Sequence, residues 1–187
     1  MIQVRNLIKR FGDRTALDGL NLHIPEGQIT VIMGGSGCGK STFLKNLIGL
    51  QRPEEGEILI EGKNVATLSE KEFDDVRKKF GMLFQGAALF NSLTVGENVA
   101  LPLKEHTDLS EEIVRIIVKI KLELVGLTGF ENFYPHQISG GMKKRVALAR
   151  AIALDPKIVF YDEPGAGLDP ITAAMIDQLI LDLSRKL

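Results

Sequence analysis

The chain has little cysteine, almost no net charge and no long apolar run. Its single cysteine, Cys38, excludes an intrachain disulfide and fits a reducing compartment. No apolar stretch approaches the roughly 20 residues needed to span a bilayer. The start, Met1-Ile2-Gln3-Val4-Arg5, lacks the apolar core of a signal peptide. Work at a membrane would therefore need another anchor. A net charge of −1 gives no global attraction to nucleic acid. The basic clusters Lys143-Lys144-Arg145 and Arg77-Lys78-Lys79 read as solvated helix faces rather than polyanion sites. There is no internal repeat and no low-complexity linker. What remains is 187 residues, 44% apolar and 25% charged, enough for one domain with a substantial core.

Residues up to about 65 are β-rich and punctuated by turn signals at Phe11-Gly12-Asp13-Arg14 and Pro25-Glu26-Gly27. Gln28 to Met33 reads as a buried strand ending at a glycine loop. A helix follows from Ser41 to Leu50, with Phe43, Leu44, Leu47 and Ile48 at helical spacing, and then a hairpin around Glu57–Ile60 and Gly62. From about residue 86 to 155 the pattern is helical. Thr94-Val95-Gly96-Glu97 has capping-box spacing and opens a helix towards Leu103. Ser110 starts another, in which Ile113, Ile116, Ile117, Ile120 and Leu124 share a face read as core, in preference to a membrane surface. Ser139 can cap a third through Leu154, with Met142, Val146, Ala149 and Ala153 buried. Lys157 to Tyr161 reads as a strand ending in acids, and Ala173 to Leu187 as a helix. The picture is a β-rich start, an α/β nucleotide core and a helical subdomain inserted between core strands.

Gly34-x4-Gly39-Lys40-Ser41 matches the phosphate-binding P-loop pattern between a strand and a helix. Glycines let successive N–H groups turn inward into an anion nest, and the following helix adds its positive end. Lys40 should reach the β- and γ-phosphates of a nucleoside triphosphate, and the Ser41 hydroxyl should ligate Mg²⁺. The ATP-binding set is Gly34, Gly35, Ser36, Gly37, Cys38, Gly39, Lys40, Ser41 and Thr42. The bland alternative is a glycine-rich turn. A dinucleotide fingerprint is disfavoured, because Gly35, Gly37 and Gly39 do not space as G-x-G-x-x-G. Cys38 reads as a small filler of the loop rather than a redox sensor.

Asp162-Glu163 follows an apolar run, which places both acids at a strand's C-terminal end, the edge where open α/β sheets bind ligands. Asp162 suits Mg²⁺ or its waters, and Glu163 suits the general base that polarises water. Without a P-loop upstream, the pair would read as an acidic turn before Pro164.

Over essentially its whole length the chain resembles the ATP-binding-cassette (ABC) ATPases. Ile138-Ser139-Gly140-Gly141-Met142-Lys143 resembles their signature motif, which implies that Ser139, Gly140, Gly141, Met142 and Lys143 contact the γ-phosphate held by a second copy. A helix cap with two glycines is the plain alternative. Gln85 resembles the Q-loop glutamine that links Mg²⁺ and water to the membrane partner. Gly167-Leu168-Asp169 resembles the D-loop, implying a dimer-interface role for Asp169. Phe11 stands where the family places an adenine-stacking aromatic, with a core position as its alternative. The implied fold is an α/β P-loop NTPase, a RecA-like ABC nucleotide-binding domain with an N-terminal antiparallel β subdomain and an inserted helical subdomain. Residues 1–85 would be β-rich and P-loop core, 86–155 the helical subdomain and 156–187 the remainder of the core.

The Met142-Lys143-Lys144 continuation, Gln85-Gly-Ala-Ala-Leu-Phe-Asn-Ser-Leu-Thr-Val-Gly-Glu-Asn-Val and Tyr161-Asp-Glu-Pro-Gly-Ala-Gly-Leu-Asp-Pro resemble the Mla/Mce-type lipid and phospholipid transport ATPases. That resemblance implies ATP and Mg²⁺ and a homodimer of ATPase subunits closing on ATP. It implies an integral membrane permease, an Mce-domain protein and a small STAS-like subunit as partners, and no nucleic acid. It also implies a cytoplasmic position on the inner face of a diderm bacterium's membrane. Competing readings are another importer, such as one for polar amino acids, a soluble ABC protein acting on DNA or ribosomes, and a nucleotide-gated module without turnover. The family's switch histidine would follow the acid pair, whereas His23, His106 and His136 all precede Asp162. The resulting expectation is a chain that binds ATP, hydrolyses it weakly and exposes an apolar sheet edge.

Overall fold

The computed structural model describes residues 2–186, which fall into two compact units divided between Arg77 and Lys78. In the first unit, β1 (Ile2–Phe11), β2 (Arg14–Ile24), β3 (Glu55–Ile60) and β4 (Lys63–Asn64) form an antiparallel sheet in the order β2-β1-β3-β4. Central β1 pairs Ile2 with Ile24 on one side and with Ile60 on the other. Ile2, Val4, Leu7, Ile58 and Ile60 are buried, while Arg5 and Arg10 pair with Glu57 and Glu55 of β3, and Lys9 with Glu54 just before it. A bulge interrupts β1 at Asn6, whose φ is 46°. Opposite it only glycine fits: a Cβ on Gly56 would lie 2.4 Å from the Asn6 carbonyl oxygen.

Helix α1 (Lys40–Leu47) starts with the last residues of the glycine loop and buries Phe43 and Leu47, as its spacing predicts. Helix α2 (Glu70–Arg77) ends the unit. Arg77 there is not a solvated charge. It pairs with Asp74 and Glu70 and donates to the Gly49 carbonyl.

The expected strand over Gln28–Met33 does not form. These residues are irregular, pair with no strand among the described residues, and leave Val31 73% and Met33 87% exposed. An apolar run becomes a buried strand only where neighbours accept its backbone groups, and periodicity cannot supply those neighbours.

The second unit pairs β5 (Phe80–Leu83) with β6 (Ile158–Tyr161) in parallel, register Leu83 to Tyr161. Strand β5 escapes sequence reading because it is short and carries Gly81. A Cβ there would meet the Ala151 carbonyl oxygen at 2.3 Å. Around the pair lie α3 (Val95–His106), α4 (Glu111–Leu124), α5 (Gly140–Ala151) and α6 (Pro170–Lys186). One core joins Val99, Leu103, Leu122, Leu148, Ile152 and Ile176, each fully buried aliphatic side chain contributing about 1.5–3 kcal/mol. The capping box predicted at Thr94 is present in both directions, and Ser110 and Ser139 cap α4 and α5. Helix α5 ends at Ala151, short of the expected Leu154.

Helix α4 corrects the expected face. Val114, Val118, Lys121 and Leu122 are buried, and of the expected stripe Ile117 and Leu124 pack partly buried against the core, whereas Ile113, Ile116 and Ile120 are about half exposed. Two apolar stripes run along this helix, and packing against α3 and α5 selects the valine–leucine one. The buried ammonium of Lys121 reaches Asp155 just before β6.

Candidate functional site

The glycine loop and its helix are built within the first unit. Gly37 and Gly39 have φ of 75° and 102°, and a Cβ on Gly39 would lie 2.6 Å from the Ala16 carbonyl oxygen. Glycine is therefore required where the loop crosses β2. Lys40 curls over the loop and donates to the Gly34 and Gly35 carbonyls at 2.7 and 3.0 Å. Ser41 is exposed and Thr42 half-buried on the first turn of α1. No side chain caps that helix and no acid lies in its first turn. A helix N-terminus without a cap or a nearby carboxylate suits an external anion, which fits a triphosphate.

Phe11 ends β1 in the hairpin that precedes β2. It is 47% exposed, with the Lys9 ammonium 5.4 Å from its ring centroid. That exposure sets aside the core alternative and leaves a ring face for stacking. Arg14, across the same turn, donates to the Gly37 carbonyl at 3.2 Å. Sequence reading passed over Arg14, which ties the aromatic hairpin to the loop.

The acids and the glutamine meet in the second unit. Because β5 and β6 are parallel, the segments beyond Leu83 and Tyr161 leave the same sheet edge. The Asp162 N–H donates to the Leu83 carbonyl at 2.9 Å. Glu163 takes a left-handed backbone, φ 45°, a strained state for a residue other than glycine. Gln85 Nε2 donates to its carboxylate at 3.2 Å. The glutamine and the acid proposed as base are thus hydrogen-bonded across residues far apart in sequence.

Asn98, fully buried, organises the following segment. Its Oδ1 accepts from the Phe90 N–H, and its amide donates to the carbonyls of Phe90, Leu93 and Thr94. An apolar cleft of about 440 Å³ opens beside the segment, lined by Phe84, Phe90, Leu101, Pro102 and Leu154, with Arg150 at its wall.

Ser139 stands at the N-cap of α5, its Oγ accepting from the Met142 N–H at 3.3 Å, and Ser139 and Gly140 are exposed. Gly141 has a structural reason as well: its Cβ would meet Thr172 Cγ2 at 2.6 Å. The basic cluster beside it is not a solvated face. Lys144 is 5% exposed and donates to the Gln85 carbonyl, and Arg145 donates to the Val125 carbonyl at 2.9 Å. Asp169 accepts from the Thr172 N–H at 3.0 Å and so caps α6 while remaining exposed. The Thr172 hydroxyl first, and then this N–H, hold its carboxyl below the usual carboxylate range.

Among the described residues no group of three or more acidic, histidine or cysteine side chains could hold a metal. Ser41 in the first unit, and Gln85 and Asp162 in the second, each carry a hard oxygen donor of the kind Mg²⁺ prefers.

Comparison with known proteins agrees with this chemistry. The family model described as ABC transporter matches residues 17–166. MlaF of Haemophilus influenzae, an intermembrane phospholipid transport system ATP-binding protein, is 50% identical over the whole chain and 71% of its own length. Mkl of Mycobacterium leprae, a probable ribonucleotide transport ATP-binding protein, is also 50% identical, over the whole chain and 54% of its length. The chain thus spans about half the mycobacterial relative. A dimeric ATP-binding cassette solved with ADP and Pi in a post-hydrolysis state superposes with TM-score 0.89 at 38% identity, covering the whole chain and 84% of that structure. The cassette cbiO1 of Clostridium perfringens, part of the complex cbiONQ, superposes with TM-score 0.90 at 33% identity, over the whole chain and 74% of its own. By motif, fold and matched length, this chain belongs to the ABC transporter family, as an ATP-binding cassette.

Proposed function

We propose that the chain binds and hydrolyses ATP as the energising subunit of a phospholipid-transporting ABC system. The observation that carries the reading is the Gln85–Glu163 hydrogen bond at the carboxyl edge of β5 and β6, in a chain half identical to MlaF. Lys40 and the N–H groups of the glycine loop bind the phosphates, and Phe11 offers its face to the base. Glu163 takes the proton of the attacking water, and Gln85 holds that carboxylate in place. Ser41, Gln85 and Asp162 would hold Mg²⁺, which neutralises charge on the phosphate oxygens when bound.

Ser139, Gly140 and Gly141 act on the nucleotide of a second copy, with Met142 and Lys143 beside them and Asp169 near the partner. A homodimer on ATP therefore completes each site. A membrane permease carries the lipid; among the described residues of this chain no helix is long and apolar enough to cross a membrane. The 440 Å³ cleft beside the Gln85 segment is the seat for its coupling element. An Mce-domain protein and a small STAS-like subunit complete the assembly, at the inner face of a diderm cell membrane.

The mkl relative favours a second reading, ribonucleotide as cargo. Purification of the tagged protein from native membranes tests both. Recovery of an integral membrane permease with bound phospholipid is the expected outcome. ATPase activity stimulated by ribonucleotide and indifferent to phospholipid would favour the second. Ribosomes or DNA without a permease would reject both.

A further inference from the structure

Two long cations of α5, Lys144 and Arg150, grip a single turn. The Lys144 ammonium, buried inside the unit, donates to the Gln85 carbonyl. Further along the same helix, Arg150 spans the next peptide groups, donating from Nη2 to the Ala87 carbonyl at 2.9 Å and from Nη1 to the Ala88 carbonyl at 2.8 Å. Ala87 and Ala88 both lie in the left-handed region, φ 62° and 50°. Consecutive non-glycine residues keep that conformation only where the surroundings hold them. Here the holding groups belong to one helix, the helix that Ser139 caps.

The other side of the turn faces the chemistry. Gln85 is exposed, and its amide reaches the Glu163 carboxylate at 3.2 Å. A free glutamine side chain would spread over many rotamers, and fixing its backbone limits where its amide can go. Burial lowers the proton affinity of Lys144, and the nearby Asp162 and Glu163 carboxylates oppose that change. The ammonium therefore lies within the field of both acids as well as on the Gln85 carbonyl.

We propose that Lys144, with Arg150, is a positioning residue for hydrolysis: the pair locks the Gln85–Ala88 turn to the signature helix and so holds the Gln85 amide on Glu163. The proposal rests on the ATPase reading above. Lys144 acts through Gln85, so its loss should slow turnover more than it weakens nucleotide binding. A lysine that only filled space would be replaced by methionine with little effect.

The test compares the full chain with Lys144→Met, which keeps the length and removes the donor, and with Lys144→Gln, which keeps a donor without the charge. The first readout is amide hydrogen exchange without nucleotide over Phe84–Leu89. Exchange there should quicken about tenfold in Lys144→Met and return most of the way in Lys144→Gln. The second readout is steady-state hydrolysis. Lys144→Met should lower kcat about tenfold with KM for ATP within about twofold, and Lys144→Gln should recover most of kcat. Unchanged exchange and kcat in Lys144→Met overturn the proposal. So does a rise in KM alone, or a Lys144→Gln variant as poor as Lys144→Met in both readouts. If exchange quickens throughout β5 and β6, the methionine variant has unfolded and Arg150→Lys replaces it. That variant keeps the charge but cannot fork two carbonyls, and normal exchange and kcat in it reject the proposal. A wild-type chain without turnover would remove the ATPase reading, while the exchange comparison would still decide whether Lys144 holds the turn.

Discussion

At the scale of single residues, Lys40 and Glu163 have separable parts. Lys40→Ala removes the cation of the phosphate loop, and nucleotide affinity should fall about 10- to 100-fold, the worth of a charge-assisted hydrogen bond; a titration with fluorescent ATP measures it. Glu163→Gln keeps the size of the side chain and removes the carboxylate proposed as the base. Phosphate release should drop about 10²- to 10⁴-fold while ATP still binds. Turnover within twofold of wild type would assign the base elsewhere. Both residues stand out in the sequence because they lie in short local motifs. The strained backbone of Glu163 does not, nor does its bond to Gln85, since both follow from how β5 and β6 pair.

Among the elements, the clearest lesson comes from α4. Its stripes of isoleucine and of valine with leucine are equally apolar, and only the neighbours α3 and α5 decide between them. Leu122→Ala should cost about 2–5 kcal/mol, whereas Ile116→Gln should stay within about 0.5 kcal/mol; chemical denaturation distinguishes them. At the head of α5, Gly141→Ala should cost about 1–3 kcal/mol because its Cβ meets Thr172 Cγ2. Adding Thr172→Ser removes that methyl, and the double variant should regain most of the loss.

The capping box of α3 adds a pH dependence. The Glu97 carboxyl is held below its ordinary value of 4.5, chiefly by the Thr94 N–H. Because its folded value is depressed, its contribution to stability is present above about pH 5 and is lost as pH falls through the folded value. The stability deficit of Glu97→Ala should therefore be full at neutral pH and shrink as the solution is acidified below the ordinary carboxylate range, in a series of thermal melts. Capping boxes of this kind are readable without a structure, because all their bonds lie within four neighbouring residues.

For the whole molecule, the signature segment implies an assembly. Ser139 and Gly140 are exposed at the head of α5, so they are free to meet the nucleotide of another copy. Glu163→Gln with Mg²⁺ and ATP should sediment as a dimer and return to monomer without nucleotide; a monomer under both conditions would remove the shared-site reading.

The sequence by itself determined the P-loop, the acid pair, the signature serine and the helix caps, because each is fixed by residue types at short spacing. Only the tertiary structure decided that the Gln28–Met33 run stays exposed and pairs with no strand among the described residues, that Lys144 is buried against the Gln85 carbonyl, and which stripe of α4 faces the core. The physical reason is common to all three. Burial and pairing are properties of a residue's neighbours, and those neighbours are brought together by the fold rather than by the order of the chain.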